Sequence, residues 1–183
     1  NLKARAYKLT LAGTIILSIA MLLCSITPLS AEGEAPTSIG ILPGNTAAAI
    51  VPAGGSLVVN VNVEEMTNLD SFQFDVSYDP GVIQVTGPVG GLEGVTAGLI
   101  GVRTIPVDMW IPNPINASPV STITVIGNLP GATGVSGSGY LVQIHFDVIG
   151  SAGDSSVITL SDMRLVDYRA GSIPSIVSNG SVT

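Results

Sequence analysis

Residues 71–85 read SFQFDVSYDPGVIQV, in which two apolar alternations meet at a Tyr-Asp-Pro-Gly turn. Successive side chains of a β-strand point to opposite faces, so an alternation separates a core face from a solvent face. The residues predicted to face the core are Phe72, Phe74, Val76 and Tyr78, and those predicted to face solvent are Gln73, Asp75, Ser77 and Asp79. Pro80 and Gly81 are typical of a chain reversal. The stretch therefore predicts a half-buried antiparallel hairpin within a β-sandwich.

The remainder of the chain favours an all-β fold, because no window has a sustained apolar period of a helix. Nine strands are predicted, at residues 37–42, 56–63, 71–78, 82–86, 102–110, 121–126, 140–149, 156–165 and 173–182. Strands at this spacing with polar turns between them indicate two packed sheets. The side chains expected to fill the space between the sheets are Phe72, Phe74, Phe146, Val59, Val61 and Ile144.

The N-terminal region has the layout of a secretory signal. Three basic residues at positions 3, 5 and 8 precede an apolar run over residues 9–26, which Pro28 ends. We expect residues 1–31 to be a signal peptide, 32–36 a linker and 37–183 the sandwich. An uncleaved membrane anchor is the alternative, since an apolar run of about eighteen residues reaches the lower limit for spanning a bilayer. In either case the sandwich is expected outside the cytoplasm, extracellular or at the cell surface.

Charge excludes one class of partner. The chain has 6 basic and 13 acidic residues, and three of the basic residues lie in the predicted signal. What remains has three arginines, no lysine and a net charge of about −10, so it cannot form a surface that follows phosphates. Nucleic acid is therefore not an expected partner. The single cysteine, Cys24, also belongs to the predicted signal, so we expect no disulfide in the sandwich.

Several segments together resemble the cohesin family. The pattern L-x-x-F-x-F-D-V-x-Y-D-P at residues 69–80 is followed by V-I-x-V, and G-x-G-Y-L-V-x-I-x-F-x-V occupies residues 137–148. An aliphatic strand follows a Gly-Gly turn near residue 55, and the chain ends with I-P at 173–174 and N-G-S-V at 179–182. The resemblance implies a nine-stranded jelly-roll sandwich that binds a dockerin, a small helical module of another protein. The calcium in such a complex belongs to the dockerin.

The resemblance also implies a binding sheet made from the third, fifth, sixth and eighth strands. The candidate residues are Ser71, Gln73, Asp75 and Ser77 on the third strand, Asp108 and Trp110 on the fifth, and Thr122 and Thr124 on the sixth. Trp110 would be an exposed apolar anchor, and the two aspartates would be hydrogen-bond acceptors. Family members that bind type I dockerins often have Asn and Asp where this chain has Ser71 and Gln73, so the dockerin class stays open. An outward Asp75 also implies that Asp75→Ala leaves melting nearly unchanged.

Two other binding functions stay open. A carbohydrate-binding module of the same superfamily would need exposed aromatic rings, and Trp110 is the only suitable platform among Tyr78, Trp110, Tyr140 and Tyr168. A polysaccharide is therefore a second possible partner. The other interpretation of Trp110 is a plug between the two sheets. A structural cell-surface or adhesin domain is the third interpretation, because it would fit a domain that has no lysine and many Ser, Thr and Val residues.

Catalysis is not expected. His145 is the only histidine, and its outward neighbours in the alternation are Gln143 and Asp147. No Gly-x-Ser-x-Gly motif precedes a helix, and the carboxylates lack the dense spacing of a calcium loop. The sequence therefore predicts no enzyme activity, no metal site and no cofactor.

Overall fold

The computed structural model describes residues 35–42, 52–131 and 133–183, so the predicted signal peptide and most of the predicted linker lie outside the described residues. The described residues form eleven β-strands and no helix. The strands are β1 (Thr37–Leu42), β2 (Ser56–Ser77), β3 (Ile83–Val85), β4 (Val95–Ile100), β5 (Arg103–Ile105), β6 (Met109–Pro112), β7 (Thr122–Asn128), β8 (Val135–Val148), β9 (Ser156–Asp167), β10 (Ser175–Ser178) and β11 (Gly180–Val182). No membrane-spanning helix can be identified in these three ranges.

The longest strand, β2, joins two predicted strands and takes part in both layers of the sandwich. Residues 56–69 pair with β8 and β1, whereas residues 69–77 pair with β7 and β9. Register shifts lie near the join, where Glu65 and Asn68 have left-handed φ values of 57° and 52°. The polar segment between the two predicted strands is therefore an irregular part of one strand, where a loop was predicted.

Two layers follow from this pairing. The first sheet has the order β10-β1-β2-β8-β4-β5, with β3 also beside β8, and the second sheet has the order β6-β7-β2-β9-β11. All six predicted core residues are at most 2% exposed and belong to one hydrophobic cluster, so the predicted all-β sandwich and its core are confirmed. The rings of Phe72 and Phe74 stack at 5.9 Å, and Tyr78 meets Phe146 edge-on at 5.1 Å.

The predicted hairpin is wrong in its pairing. The turn after Tyr78 forms as expected, since the Asp79 carbonyl accepts hydrogen bonds from the backbone N–H groups of Val82 and Ile83. However, β3 pairs with β8 and not with β2. The reason is that β7 and β9 already occupy both edges of residues 69–77. The turn therefore carries the chain from the second sheet to the first.

The predicted count of nine strands is also wrong for the described residues. The predicted strands at 102–110 and 173–182 each divide into two, and β4 is an additional strand in a glycine-rich segment where no strand is predicted. A Cβ atom at Gly98 would collide with the backbone carbonyls of Tyr140 and Leu141 on β8. Glycine at this position therefore permits the close approach of β4 to β8, although it weakens the strand pattern in the sequence.

Candidate functional site

Four strands of the second sheet lie side by side in the order β6-β7-β2-β9, and they correspond to the strands predicted to form the binding sheet. Residues directly opposite each other in an antiparallel pair share one face of the sheet. The face that points away from the core is called the outer face here. Its residues are Met109 and Ile111 on β6, Thr122, Thr124, Ile126 and Asn128 on β7, Ser71, Gln73, Asp75 and Ser77 on β2, and Thr159, Ser161, Arg164 and Val166 on β9.

Six of the eight predicted site residues lie on this outer face. They are Ser71, Gln73, Asp75, Ser77, Thr122 and Thr124. The hydroxyl groups of Ser77 and Thr122, which are cross-strand neighbours, are 2.9 Å apart and share a hydrogen bond. Their place on one sheet follows from the ladder between β2 and β7, while their part in binding a partner stays a prediction.

Asp75 lies on the outer face, but its predicted exposure to solvent is wrong. Its side chain is only 6% exposed, because polar neighbours cover the carboxylate. Thr124 Oγ1 donates a hydrogen bond of 2.6 Å to Oδ1, and Asn113 Nδ2, from the segment after β6, donates one of 2.7 Å to Oδ2. Both carboxylate oxygens are therefore used inside the protein. Asp75 holds β2, β7 and the segment after β6 together, and it is not a free acceptor for a partner.

This placement reverses the expected effect of Asp75→Ala. Removing the carboxylate leaves the Thr124 hydroxyl and the Asn113 amide without their acceptor, which costs about 1–3 kcal/mol for a buried hydrogen-bonded charge. In a domain of about 150 residues each kcal/mol corresponds to roughly 2–4 °C in Tm. We expect Asp75→Ala to melt several degrees lower in a circular-dichroism scan. Ser77→Ala, on the same strand and face, is the matched control and should shift Tm less. Equal shifts would contradict the buried, hydrogen-bonded position of Asp75.

The predicted exposure of Trp110 is wrong as well, and Asp108 is exposed but lies outside the strand. Trp110 points into the core opposite Val125 and is 2% exposed, and its Nε1 donates a 2.7 Å hydrogen bond to the Gly91 carbonyl. Asp108 is exposed to solvent, but it precedes the first residue of β6 and is not part of that strand. The outward residues of β6 are Met109 and Ile111, which alternate with Trp110 along the strand. A register error of one residue exchanges the two faces of a strand, and the prediction made that error here.

An apolar centre on the outer face was missed by the sequence reasoning. Met109 is 47% exposed, and it lies opposite Ile126, which is half-buried. Ile111 lies next along β6, opposite Thr124. The signal that could have located these residues is the alternation in M-W-I-P, once tryptophan is assigned to the core. The outer face thus has an apolar centre surrounded by hydroxyl and amide groups, an arrangement common in protein interfaces.

A shallow depression of about 230 Å³ lies beside this centre, across β7, β2 and β9. Its lining includes Ile126 and Val166 as apolar walls, and Gln73 and Asn128 as hydrogen-bonding groups. Arg164, directly opposite Gln73, is exposed and supplies the positive charge of the depression. Ser71 completes the polar lining on β2.

The aromatic side chains do not form a sugar-binding platform in the described part of the chain. Trp110 and Tyr78 are buried, and burial raises the pKa of Tyr78 to about 12, against a hydrogen bond to the Val85 backbone that lowers it. Tyr140 lies on β8, whereas Tyr168 follows β9. The plug interpretation of Trp110 is therefore confirmed, and its assignment as an exposed platform is wrong.

The fold and the outer face define a β-sandwich binding module. The cohesin domain model matches residues 45–183, and the chain belongs to the cohesin domain family. Cohesin domains are non-catalytic binding modules, so the family confirms the prediction that this chain is not an enzyme. No curated protein gives a significant match.

Solved cohesin structures share the fold. A non-cellulosomal cohesin from the hyperthermophilic archaeon Archaeoglobus fulgidus has a TM-score of 0.60 and 23% identity, with 81% of this chain and 90% of that chain covered. The sixth cohesin of scaffoldin B from Acetivibrio cellulolyticus, solved in complex with a dockerin, has a TM-score of 0.58 and 19% identity over 81% of this chain and 99% of that one. A type I cohesin–dockerin complex from Clostridium thermocellum gives a TM-score of 0.54 and 14% identity over 82% and 96%.

Proposed function

We propose that this domain binds a dockerin of another protein through the outer face of its second sheet. The observation that carries the proposal is the apolar centre formed by Met109, Ile111 and Ile126, in which Met109 is 47% exposed and the two isoleucines are half-buried, with hydroxyl and amide side chains around it. Similar cohesins crystallised with dockerins support the choice of partner. Asp75, Thr124 and Ser77 stabilise this face from within, so it is preformed and needs little backbone change on binding.

The calcium of such a complex would belong to the dockerin. Within the ranges that the structure describes, no group of three or more His, Cys, Asp or Glu side chains could hold a metal ion. We also propose that the domain acts extracellularly or at the cell surface, on the basis of the basic and apolar pattern of residues 1–31. Extracellular polysaccharide breakdown is the setting that the family resemblance suggests. Because one similar structure is a non-cellulosomal cohesin, a cellulosome itself is not part of the proposal.

A pull-down tests the proposal. Residues 32–183, which contain the whole compact unit Ala35–Thr183, are immobilised and presented with a panel of purified dockerins, in calcium and in chelator. We expect capture of at least one dockerin in calcium and its loss in chelator. Insoluble cellulose is tested in parallel, and retention on cellulose with no dockerin captured would contradict the proposal in favour of a carbohydrate-binding module.

A variant pair in the same assay locates the binding face. Met109→Glu places a charge in the apolar centre of the outer face, while Leu99→Glu places one on β4 of the first sheet, where Leu99 is 39% exposed. We expect Met109→Glu to weaken capture at least tenfold, which is about 1.4 kcal/mol, and Leu99→Glu to leave it unchanged. Both residues are exposed, so both variants should fold. Equal capture by the two variants would place the binding surface elsewhere.

A further inference from the structure

This acidic domain has few positive charges, and their side chains make different contacts. The described residues contain three arginines, Arg103, Arg164 and Arg169. Arg103 Nη2 donates a hydrogen bond to the Pro130 carbonyl, and the Arg169 guanidinium lies 5.0 Å from the centre of the Tyr168 ring. Within the three described ranges no carboxylate forms a salt bridge with Arg164, although the chain is rich in acidic residues. Arg164 is therefore available to a carboxylate from outside the domain.

Arg164 lies at the edge of the depression on the outer face. It is the one arginine on the outer face, opposite Gln73 at the rim of the depression of about 230 Å³. Ile126 and Val166 form apolar walls beside it. Asp75, which lies on the same face, is buried and its carboxylate already accepts two hydrogen bonds. Arg164 therefore places a positive charge on the outer face of a chain whose net charge is negative.

We propose that Arg164 selects the partner by charge, so that the dockerin presents an aspartate or glutamate to Arg164 and a neighbouring apolar side chain to the depression. This inference rests on the proposed function and specifies the chemistry of the partner. A guanidinium binds a carboxylate through two parallel hydrogen bonds, a geometry that a lone ammonium does not match. Residues three or four apart on a helix lie about 5–6 Å apart between Cβ atoms, so one helix face can supply both groups.

Arg164 discriminates between dockerins mainly by the sign of the charge they present to it, and less by the strength of a single contact. An exposed ion pair in water contributes little, but apolar walls that exclude water from an interface strengthen it. A lysine or arginine of the partner at this place would meet Arg164 with like charge. An acidic partner surface elsewhere would be repelled by the acidic domain. The preferred dockerin thus carries one carboxylate in an otherwise neutral or basic binding helix.

Charge reversal tests the inference. The dockerins captured by the unmodified domain are the probes, and their Kd values are measured for Arg164→Glu and for Arg169→Glu. The two substitutions change the net charge equally, but Arg169 lies in the turn after β9, outside the depression. We expect Arg164→Glu to raise Kd at least tenfold and Arg169→Glu less than twofold. Thermal melts establish that both variants fold.

A reciprocal change completes the test. Replacing the dockerin's aspartate or glutamate by lysine should restore binding to Arg164→Glu while weakening binding to the unmodified domain. If the unmodified domain captures a dockerin and Arg164→Glu binds it equally well, the inference is wrong and the proposed function stands. Equal weakening by Arg164→Glu and Arg169→Glu would reduce the effect to net charge and also overturn it. If the unmodified domain captures no dockerin, both the function and the inference fail.

Discussion

Phe74→Asp is expected to unfold the domain and not merely to weaken a surface. Phe74 is fully buried between the two sheets, and its ring stacks on that of Phe72 at 5.9 Å. Truncating a core phenylalanine costs about 3–5 kcal/mol, and a buried carboxylate adds a large desolvation penalty. Small domains have only about 5–15 kcal/mol of stability in total. The variant should therefore show no cooperative melt and a collapsed spread of amide proton shifts.

The matched control for this experiment is Val58→Asp. Val58 lies on the same strand, β2, but its side chain is 44% exposed on the outside of the first sheet. The same chemical change at an exposed site usually alters stability by no more than about 0.5 kcal/mol. Val58→Asp should consequently keep the unmodified Tm within a few degrees. A folded Phe74→Asp with a cooperative melt would contradict the placement of Phe74 in the core.

The core was predictable because strand alternation is a local property. In residues 71–78 the period of two identified Phe72, Phe74 and Val76 as core side chains, whichever strands became their neighbours. Strand pairing is not local. The short run at Ile83–Val85 could pair with β2 or with any other free edge. The positions of β7 and β9 exclude β2, and β3 pairs with β8.

The site was predicted less well, for two different physical reasons. Alternation placed Asp75 on the correct face, but it could not show that Asn113, 38 residues away, covers the carboxylate. At Trp110 the face itself was wrong. The predicted strand there ran without a break through what are β5 and β6, and a one-residue change of register moves every side chain to the other face. The apolar centre at Met109 and Ile111 was missed for the same reason.

Arg164 illustrates a third limit of the sequence. Its charge is evident from the sequence, but its neighbours Gln73 and Ile126 belong to other strands. A bulge in β9, marked by Asp162 with a φ of 49°, also interrupts the alternation just before it. Which face Arg164 occupies therefore depends on the ladder with β2. The outer face is a property of four strands together, and its charge pattern emerges only once they are assembled.

Trp110→Ala is expected to lower the free energy of unfolding by about 3–5 kcal/mol, the usual cost of removing a large buried aromatic side chain. The indole fills the space between β6 and the segment before β4, since a Cβ atom at Gly94 would lie 3.0 Å from its Cζ2. At roughly 2–4 °C per kcal/mol, the Tm should fall by at least about 6 °C. Tyr168→Ala, which removes a 39% exposed ring, is the control and should change Tm little.

Trp110→Phe separates packing from hydrogen bonding at the same position. Phenylalanine keeps most of the apolar volume but leaves the Gly91 carbonyl without its 2.7 Å donor, so we expect an intermediate loss of about 1–3 kcal/mol. Because Trp110 is the only tryptophan, its fluorescence reports on this site alone. In the folded domain iodide should quench it weakly, and unfolding should remove that protection. Strong quenching of the native protein, or a Trp110→Ala variant that melts normally and no longer binds cellulose, would instead make Trp110 an exposed sugar platform.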